Sequence, residues 1–210
     1  MAACITKELS CPGCGAVNKS RMWVEIDASA DPEQREQILN ETLFYWECPD
    51  CDYHAQMVSP CLYHDKERGF LICLSPAGRT QQVIEAEQRH PALAGLKKRL
   101  VLTPAELKEK VMIFESGLND VALEMVKLAL QELTERKQQT RVEKAFFLTE
   151  SEELDYLGFS MFLRGEEKPV YQGVRLEVYE KSLRAAERVD FQESGFQLVD
   201  LALARTLLEQ

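Results

Sequence analysis

Two cysteine pairs of identical spacing, Cys11–Cys14 and Cys48–Cys51, constrain this chain more than any other feature of its sequence. Both read Cys-Pro-x-Cys, and two cysteines separated by two residues can bind the same ion from one tight turn. A structural zinc site takes four thiolate or imidazole ligands in a tetrahedron, so two pairs complete one site. The sequence therefore predicts a closed Zn²⁺ site that helps to fold the chain and leaves no coordination position for a catalytic water.

A thiol–disulfide motif is the main alternative interpretation of each pair. A redox Cys-x-x-Cys pair usually occurs once and lies at the start of a helix, where the helix N-terminus stabilises the thiolate. No convincing helix signal follows either pair in this sequence. We therefore favour zinc over redox chemistry, and both over four inert buried thiols.

The other cysteines and the nearby histidines have simpler interpretations. Cys61 and Cys73 lie on a predicted hairpin, where a free cysteine usually packs as a small apolar residue. His54 could replace a cysteine as ligand, but four cysteines already fill a tetrahedron. His64 lies near acidic residues, which leaves a second metal site or an acid–base site open, although a solvated turn is the interpretation that we favour. No role is assigned to Cys4.

The cysteine usage favours a reducing compartment, and the net charge argues against a nucleic-acid partner. All seven cysteines precede residue 74, and clustered cysteines in such compartments more often bind metal than form structural disulfides. The formal net charge is -10, whereas a protein that binds phosphates usually carries an excess of basic residues. The sequence has neither an apolar signal-peptide run nor a stretch of about 18 apolar residues. We expect a cytoplasmic protein without a membrane span.

Residues 1–75 read as short strands around the cysteine pairs, forming a zinc ribbon with a small antiparallel sheet. A short helix opens at Asp31-Pro32 and reaches about Leu39, because Asp is a good cap and Pro suits the first helical turn. The predicted strands are Arg21–Asp27, Thr42–Glu47, His54–Tyr63 and Gly69–Leu74, of which the last two form a hairpin.

A helical hairpin is predicted over residues 80–135. A helix is first predicted at about residues 80–89. Two helices then pack as an antiparallel pair, the first of which begins at Thr103, which caps it as part of a capping box, and runs to about residue 116. Asn119 or Asp120 caps the helix that follows. A DNA-reading helix-turn-helix is disfavoured, because this last helix is too apolar to read a groove.

The last part of the chain reads as a unit of two strands followed by two helices. After a polar linker at residues 136–141, the predicted strands are Val142–Leu148 and Leu154–Leu163, and the helices are about Leu176–Arg188 and Phe196–Glu209. The predicted fold class is α+β, with an N-terminal zinc ribbon, a central helical hairpin and a C-terminal ββαα unit. We divide it into a domain over residues 1–135 and a C-terminal unit over residues 136–210.

Taken together, the cysteine motifs and a downstream helical segment resemble the CpXC-domain family of bacterial and archaeal proteins. The resemblance covers roughly residues 8–135. Besides the cysteine motifs, it rests on the strand around Trp23, on Asp31-Pro32, and on the stretches Leu62–Asp65 and Leu107–Asp120. It implies that the four paired cysteines bind a metal, and it implies no established activity.

The sequence contains no motif that specifies a reaction. It lacks the signatures of zinc deaminases, zinc proteases, phosphate loops, dinucleotide-binding folds and serine hydrolases. We favour a zinc-binding interaction or regulatory module without catalysis, which contacts a protein partner or a second copy of itself. Two alternatives stay open: a nucleic-acid-binding zinc ribbon, and an enzyme with a site in or next to the C-terminal unit, where the polar residues of interest are Tyr156, Arg164, Tyr171 and Arg175.

Overall fold

A computed structural model of the chain describes residues 2–78, 95–151, 153, 155–189, 191 and 193–209. The predicted helix at residues 80–89 lies outside the described residues. The chain divides into two compact units, the first made of residues 1–108 and 194–197 and the second of residues 109–193 and 198–210. Helices and strands occur in both units, so the predicted α+β class is confirmed.

In chain order, the described elements are β1 (Ala3–Ser10), β2 (Val17–Asp27), α1 (Pro32–Leu39), β3 (Tyr45–Glu47), β4 (His54–Gln56), β5 (Cys61–Asp65), β6 (Phe70–Leu74), β7 (Lys97–Val101), α2 (Pro104–Glu115), α3 (Asp120–Gln138), β8 (Val142–Ser151), β9 (Tyr156–Leu163), β10 (Val170–Val174), α4 (Leu176–Ala186) and α5 (Leu201–Leu208). Within the described ranges, no helix is long and apolar enough to cross a membrane.

The main sheet of the first unit is mixed, so the predicted antiparallel sheet is wrong in two of its pairings. Its strand order is β1-β2-β5-β6-β7. The predicted hairpin is confirmed in its inner part, since β5 and β6 pair antiparallel. However, β2 pairs parallel to β5, and β6 pairs parallel to β7. Parallel neighbours need a long crossover connection, and residues 28–60 supply one between β2 and β5.

The crossover between β2 and β5 carries the second cysteine pair. Helix α1 begins at Pro32 and ends at Leu39, as predicted. Strands β3 and β4 pair antiparallel as a separate two-stranded hairpin. The predicted strand His54–Tyr63 is interrupted at residues 57–60, where Pro60 has no backbone N–H to give to a ladder. The chain therefore leaves one hairpin before it joins the main sheet.

The core of the first unit is centred on β5 and β6, which are buried along their whole length. On one face of the sheet, five buried residues pack together: Leu62, Leu71, Cys73, Leu100 and Phe196. Cys61 is 2% exposed and Cys73 is 5% exposed. The prediction that these two cysteines pack as apolar core residues is therefore confirmed.

Helices α2 and α3 begin with the predicted caps. The Thr103 hydroxyl accepts a hydrogen bond from the Glu106 N–H at 3.3 Å, and the Glu106 carboxylate accepts one from the Thr103 N–H at 3.3 Å, which completes a capping box. Of the two candidate caps for α3, the structure selects Asn119, whose Oδ1 accepts the Ala122 N–H at 3.0 Å. Helix α3 is buried without interruption from Asp120 to residue 128, so its first half is enclosed on all sides.

A cluster of buried ionisable groups links α2, α3 and β8 within the second unit. The Lys127 Nζ lies 3.0 and 3.2 Å from the two carboxylate oxygens of Glu109, 2.8 Å from Glu124 Oε1 and 3.3 Å from the Ala145 carbonyl oxygen. Glu109 Oε1 also accepts the Phe147 N–H at 2.6 Å. One carboxylate therefore holds two helices and a strand together.

The same cluster contains a second lysine and a third carboxylate. The Lys110 Nζ lies 3.2 Å from Asp120 Oδ2 and 3.3 Å from Glu124 Oε1. Burial disfavours the charged form of Lys127, but the nearby carboxylates of Glu109 and Glu124 outweigh it and raise the pKa of this lysine. We refer to Glu109, Lys110, Asp120, Glu124 and Lys127 as the buried charge cluster.

The C-terminal part of the second unit contains one strand more than predicted. The sheet is three-stranded, in the order β10-β9-β8, so the unit is βββαα rather than ββαα. Helix α4 begins at Leu176 as predicted, but α5 begins at Leu201 and not at Phe196. The reason is Asp200, whose Oδ1 accepts the Leu203 N–H at 2.9 Å and caps the helix there. The two helices enclose a core with α3 that includes Val121, Met125, Val199, Ala204 and Leu207.

Candidate metal centre

Each cysteine pair lies in the turn of a β-hairpin. Cys11 and Cys14 follow β1 and precede β2, whereas Cys48 and Cys51 lie between β3 and β4. In both turns, the N–H of the first cysteine donates to the carbonyl oxygen five residues later, at 2.8 Å in the first turn and 2.9 Å in the second. The same local structure therefore occurs twice.

The four thiol groups converge on one point. Their Sγ atoms all lie within 4.8 Å of one another. Cys11 Sγ lies 3.6 Å from Cys51 Sγ, and Cys14 Sγ lies 3.8 Å from Cys48 Sγ. A tetrahedral zinc with Zn–S bonds of about 2.3 Å has sulfur–sulfur edges of about 3.8 Å. In both the chemistry of its donors and its dimensions, the cluster fits one tetrahedral, thiophilic ion.

Glycine at position 13 allows the two turns to approach. A Cβ atom on Gly13 would lie 3.1 Å from Tyr53 Cβ and 3.4 Å from Cys51 Sγ, so a side chain would push the second turn away. Gly15 has a φ of +77°, a left-handed conformation that favours glycine. The first turn is therefore glycine-rich for steric and conformational reasons.

Hydrogen-bond donors reach the sulfur atoms of the two buried cysteines. The Gly13 N–H donates to Cys11 Sγ at 3.3 Å. The side-chain amide of Asn18 lies 3.8 Å from Cys48 Sγ and donates to Asp50 Oδ2 at 2.9 Å, so it connects the start of β2 to the second turn. Donors of this kind stabilise negative charge on a ligand and orient it.

The protein shifts the pKa values of Cys11, Cys48 and Cys51. Burial opposes ionisation of Cys11, but the N–H groups of Cys14 and Gly13 outweigh it and lower its pKa to about 7. For Cys48, burial is the largest effect and raises the pKa. The Tyr53 N–H favours the Cys51 thiolate, but burial and the neighbouring thiols prevail and raise the pKa of Cys51 to about 12. Binding of a metal ion to all four sulfurs would therefore release protons.

His54 and His64 are not part of this cluster. His54 is exposed, with its ring 5.6 Å from that of Tyr45. The prediction of a solvated turn at His64 is wrong: His64 is 3% exposed, with Nε2 3.2 Å from Glu25 Oε1 and Nδ1 3.6 Å from Asp27 Oδ2. Among the described residues, the four cysteines are the one group of three or more ligand-type side chains close enough to share an ion. Cys4 is exposed on β1.

The polar residues of interest in the C-terminal part do not gather into a desolvated site. Arg164, Tyr171 and Arg175 are exposed, and Tyr171 retains 68% of its accessible surface. Tyr156 lies at the start of β9, and its ring covers two glycines that pair across the sheet, Gly158 and Gly173. These positions therefore give no support to a catalytic site.

Comparison with known proteins agrees with the geometry of the cysteine cluster. A family model described as CpXC protein matches residues 9–127. No curated protein and no solved structure matches the chain. The matched segment covers more than half of the 210 residues and contains both hairpin turns with all four clustered cysteines. On this evidence, the chain belongs to the CpXC family.

Proposed function

We propose that Cys11, Cys14, Cys48 and Cys51 bind one structural Zn²⁺, and that the two hairpins around it form a zinc ribbon. The observation that carries this proposal is the convergence of four thiols from two equivalent turns, with Sγ–Sγ distances of 3.6 and 3.8 Å. These distances suit a tetrahedral zinc, and four thiolates are a common ligand set of structural zinc sites.

The same geometry argues for binding rather than catalysis. Four protein ligands leave no position for a water or a substrate on the ion, so such a zinc stabilises the fold. Large apolar side chains are exposed on both hairpins: Val17 keeps 60%, Tyr45 48% and Tyr53 36% of their accessible surface. These side chains are available for contact with another protein. We therefore propose an interaction or regulatory module that contacts a protein partner or a second copy of the chain.

Thiolate ligands require a reducing environment, which supports the proposal that the protein works in the cytoplasm. The division into a functional domain over residues 1–135 and a C-terminal unit over residues 136–210 stays a prediction.

Native mass spectrometry of the freshly purified protein tests the metal site. We expect one zinc ion per chain, retained in Cys4→Ser and lost in Cys48→Ser. Cys4 is the matched control, because it is a cysteine of the same unit outside the cluster. Excess chelator should abolish the near-ultraviolet circular dichroism of the wild type. A protein that carries no metal and keeps its structure in chelator would contradict the proposal.

Photo-crosslinking tests the interaction surface. A photoreactive amino acid replaces Tyr45 on the β3–β4 hairpin or, as a control, Leu133 on α3, which is 61% exposed. We expect one defined protein adduct, either a dimer or a complex with another protein, from position 45 in cells and none from position 133. Equal adducts at both positions, or no adduct at position 45, would count against an interaction role for the hairpins.

A further inference from the structure

The four cysteines of the centre differ in their access to solvent. Cys11 is 2% exposed and Cys48 is 6% exposed, whereas Cys51 is half-buried and Cys14 is exposed. In each pair, the first cysteine therefore faces the interior and the second faces outward. A reagent in solution reaches the centre most directly at Cys14.

The four sulfur atoms also differ in their hydrogen bonding. Cys11 Sγ accepts the Gly13 N–H, Cys48 Sγ faces the Asn18 amide, and Cys51 is stabilised by the Tyr53 N–H. Donors to a thiolate stabilise its charge and make it a weaker nucleophile, so the thiolates of the buried Cys11 and Cys48 are the less reactive ones.

We propose that Cys14 is the reactive ligand of the centre, that hydroperoxides oxidise it, and that its oxidation releases the metal. This inference rests on the proposed metal site. Cys14 is the most exposed of the four cysteines, and the hydrogen-bond donors that weaken a nucleophile reach the buried Cys11 and Cys48. The site would make metal binding sensitive to oxidants.

The chemistry proceeds in two steps. The Cys14 thiolate attacks one peroxide oxygen, the S–O bond forms as the O–O bond breaks, and hydroxide leaves. The Cys48 thiolate, with Sγ 3.8 Å away, then attacks the sulfur of the sulfenic acid and expels a second hydroxide to form a disulfide. The two thiolates together lose two electrons to the peroxide. The ion keeps two of its four ligands and dissociates.

The experiment uses the full-length, zinc-loaded Cys4→Ser variant, so that the exposed thiol outside the cluster does not consume oxidant. Hydrogen peroxide is added below one equivalent, zinc release is followed with a chromogenic chelator, and remaining thiols are trapped with N-ethylmaleimide for peptide mapping. We expect one zinc released per peroxide consumed and a Cys14–Cys48 disulfide. Reduction with dithiothreitol in the presence of zinc should restore the metal content.

A second measurement, which does not rely on disulfide formation, identifies the sulfur that reacts first. Substoichiometric iodoacetamide should carbamidomethylate Cys14 before the other three ligands, with iodide as the leaving group. Asn18→Ala should accelerate modification of Cys48, because it removes the amide that faces this sulfur, and should leave the rate at Cys14 unchanged.

The results separate this inference from the proposed function. If the purified protein carries no zinc, both fail. If it carries zinc and modification begins at Cys11, Cys48 or Cys51, or if zinc remains bound after Cys14 is oxidised, the metal site stands and the inference about Cys14 is overturned.

Discussion

Replacing Lys127 by methionine tests whether the buried charge cluster is held together by electrostatic attraction between its residues. Methionine has a similar length, so the substitution removes the ammonium group with little change in packed volume. That group lies within 3.3 Å of four oxygens, two on Glu109, one on Glu124 and one on the Ala145 backbone. Its loss leaves the three carboxylates of the cluster with Lys110 as the remaining cation among its members.

The expected loss of unfolding free energy is about 3–5 kcal/mol, because removing one partner of a buried ion pair leaves an uncompensated charge. Total stabilities of domains are about 5–15 kcal/mol, so this is a large fraction. Adding Glu109→Gln to the variant should recover about 1–2 kcal/mol, since it removes one of the stranded carboxylates. The glutamine oxygen can still accept the Phe147 N–H that Glu109 accepts in the wild type.

Urea unfolding followed by far-ultraviolet circular dichroism measures these changes, because α3, α4 and α5 all lie in the second unit. The matched control is Lys181→Met on α4, whose ion pair with Glu177 is more than half exposed at both side chains. We expect this control to change stability by less than about 0.5 kcal/mol. If Lys127→Met lies within about 1 kcal/mol of the wild type, or if both lysine variants lose the same amount, the argument from buried charge is refuted.

Two further predictions concern single contacts. Burial opposes ionisation of Asp27, but hydrogen bonds from Ser29 and the charge of His64 prevail and lower its pKa from 3.8 to about 2. The ionised carboxylate therefore contributes about 2 kcal/mol at neutral pH, and this contribution is lost as the pH falls from about 4 through about 2. Asp27→Asn should remove this contribution. Denaturant unfolding should show the stabilities of the variant and the wild type converging as the pH falls from about 4 through about 2. A difference in stability that is independent of pH would contradict the assignment. Gly173→Ala should cost about 1–3 kcal/mol, because its Cβ would overlap the ring of Tyr156, with Tyr156 Cζ only 2.7 Å away. In a Tyr156→Ala background the same substitution should cost much less, and an equal loss in both backgrounds would refute the steric explanation.

Local signals predicted the parts of the fold that depend on neighbouring residues. The cysteine spacing predicted which four cysteines come together, and the caps at Thr103 and Asn119 placed α2 and α3. Helix α1 followed from Asp31-Pro32. At Thr103 and Asn119 a few consecutive residues determine the structure, because a cap satisfies backbone groups within its own segment. At α1 the Asp31 side chain instead accepts the Asp27 N–H, and Pro32 begins the helix.

The parts that were missed depend on partners far away in sequence. Strand β7 begins with Lys97-Lys98-Arg99, which reads as polar, yet Arg99 is fully buried once the strand pairs with β6. His64 was assigned to a turn because charged residues follow it, whereas β5 includes it and pairs it with Asp27 of β2. Parallel pairing of β2 with β5 leaves no local periodicity, so the sequence could not distinguish it from a hairpin.

The candidate centre likewise has features that local sequence predicts and features that depend on distant contacts. Spacing alone nominated the four cysteines, but the unequal exposure of these residues and the role of Asn18 depend on how the two hairpins meet. The sequence predicts an apolar helix at α3. In the structure this helix buries charged positions as well, because Glu109 and Lys110 arrive from α2 to neutralise them.

The hydrogen bond from the Phe147 N–H to Glu109 has a practical consequence for anyone who produces this protein in pieces. A fragment truncated after residue 127, where the family match ends, would retain Glu109 and Lys127 and discard β8, which supplies Phe147 and the Ala145 carbonyl. It would also lose the second half of α3 and uncover the apolar surface around Val121 and Met125. Such a fragment should aggregate even with its four clustered cysteines in place, so recombinant work needs the sequence through β8 and beyond.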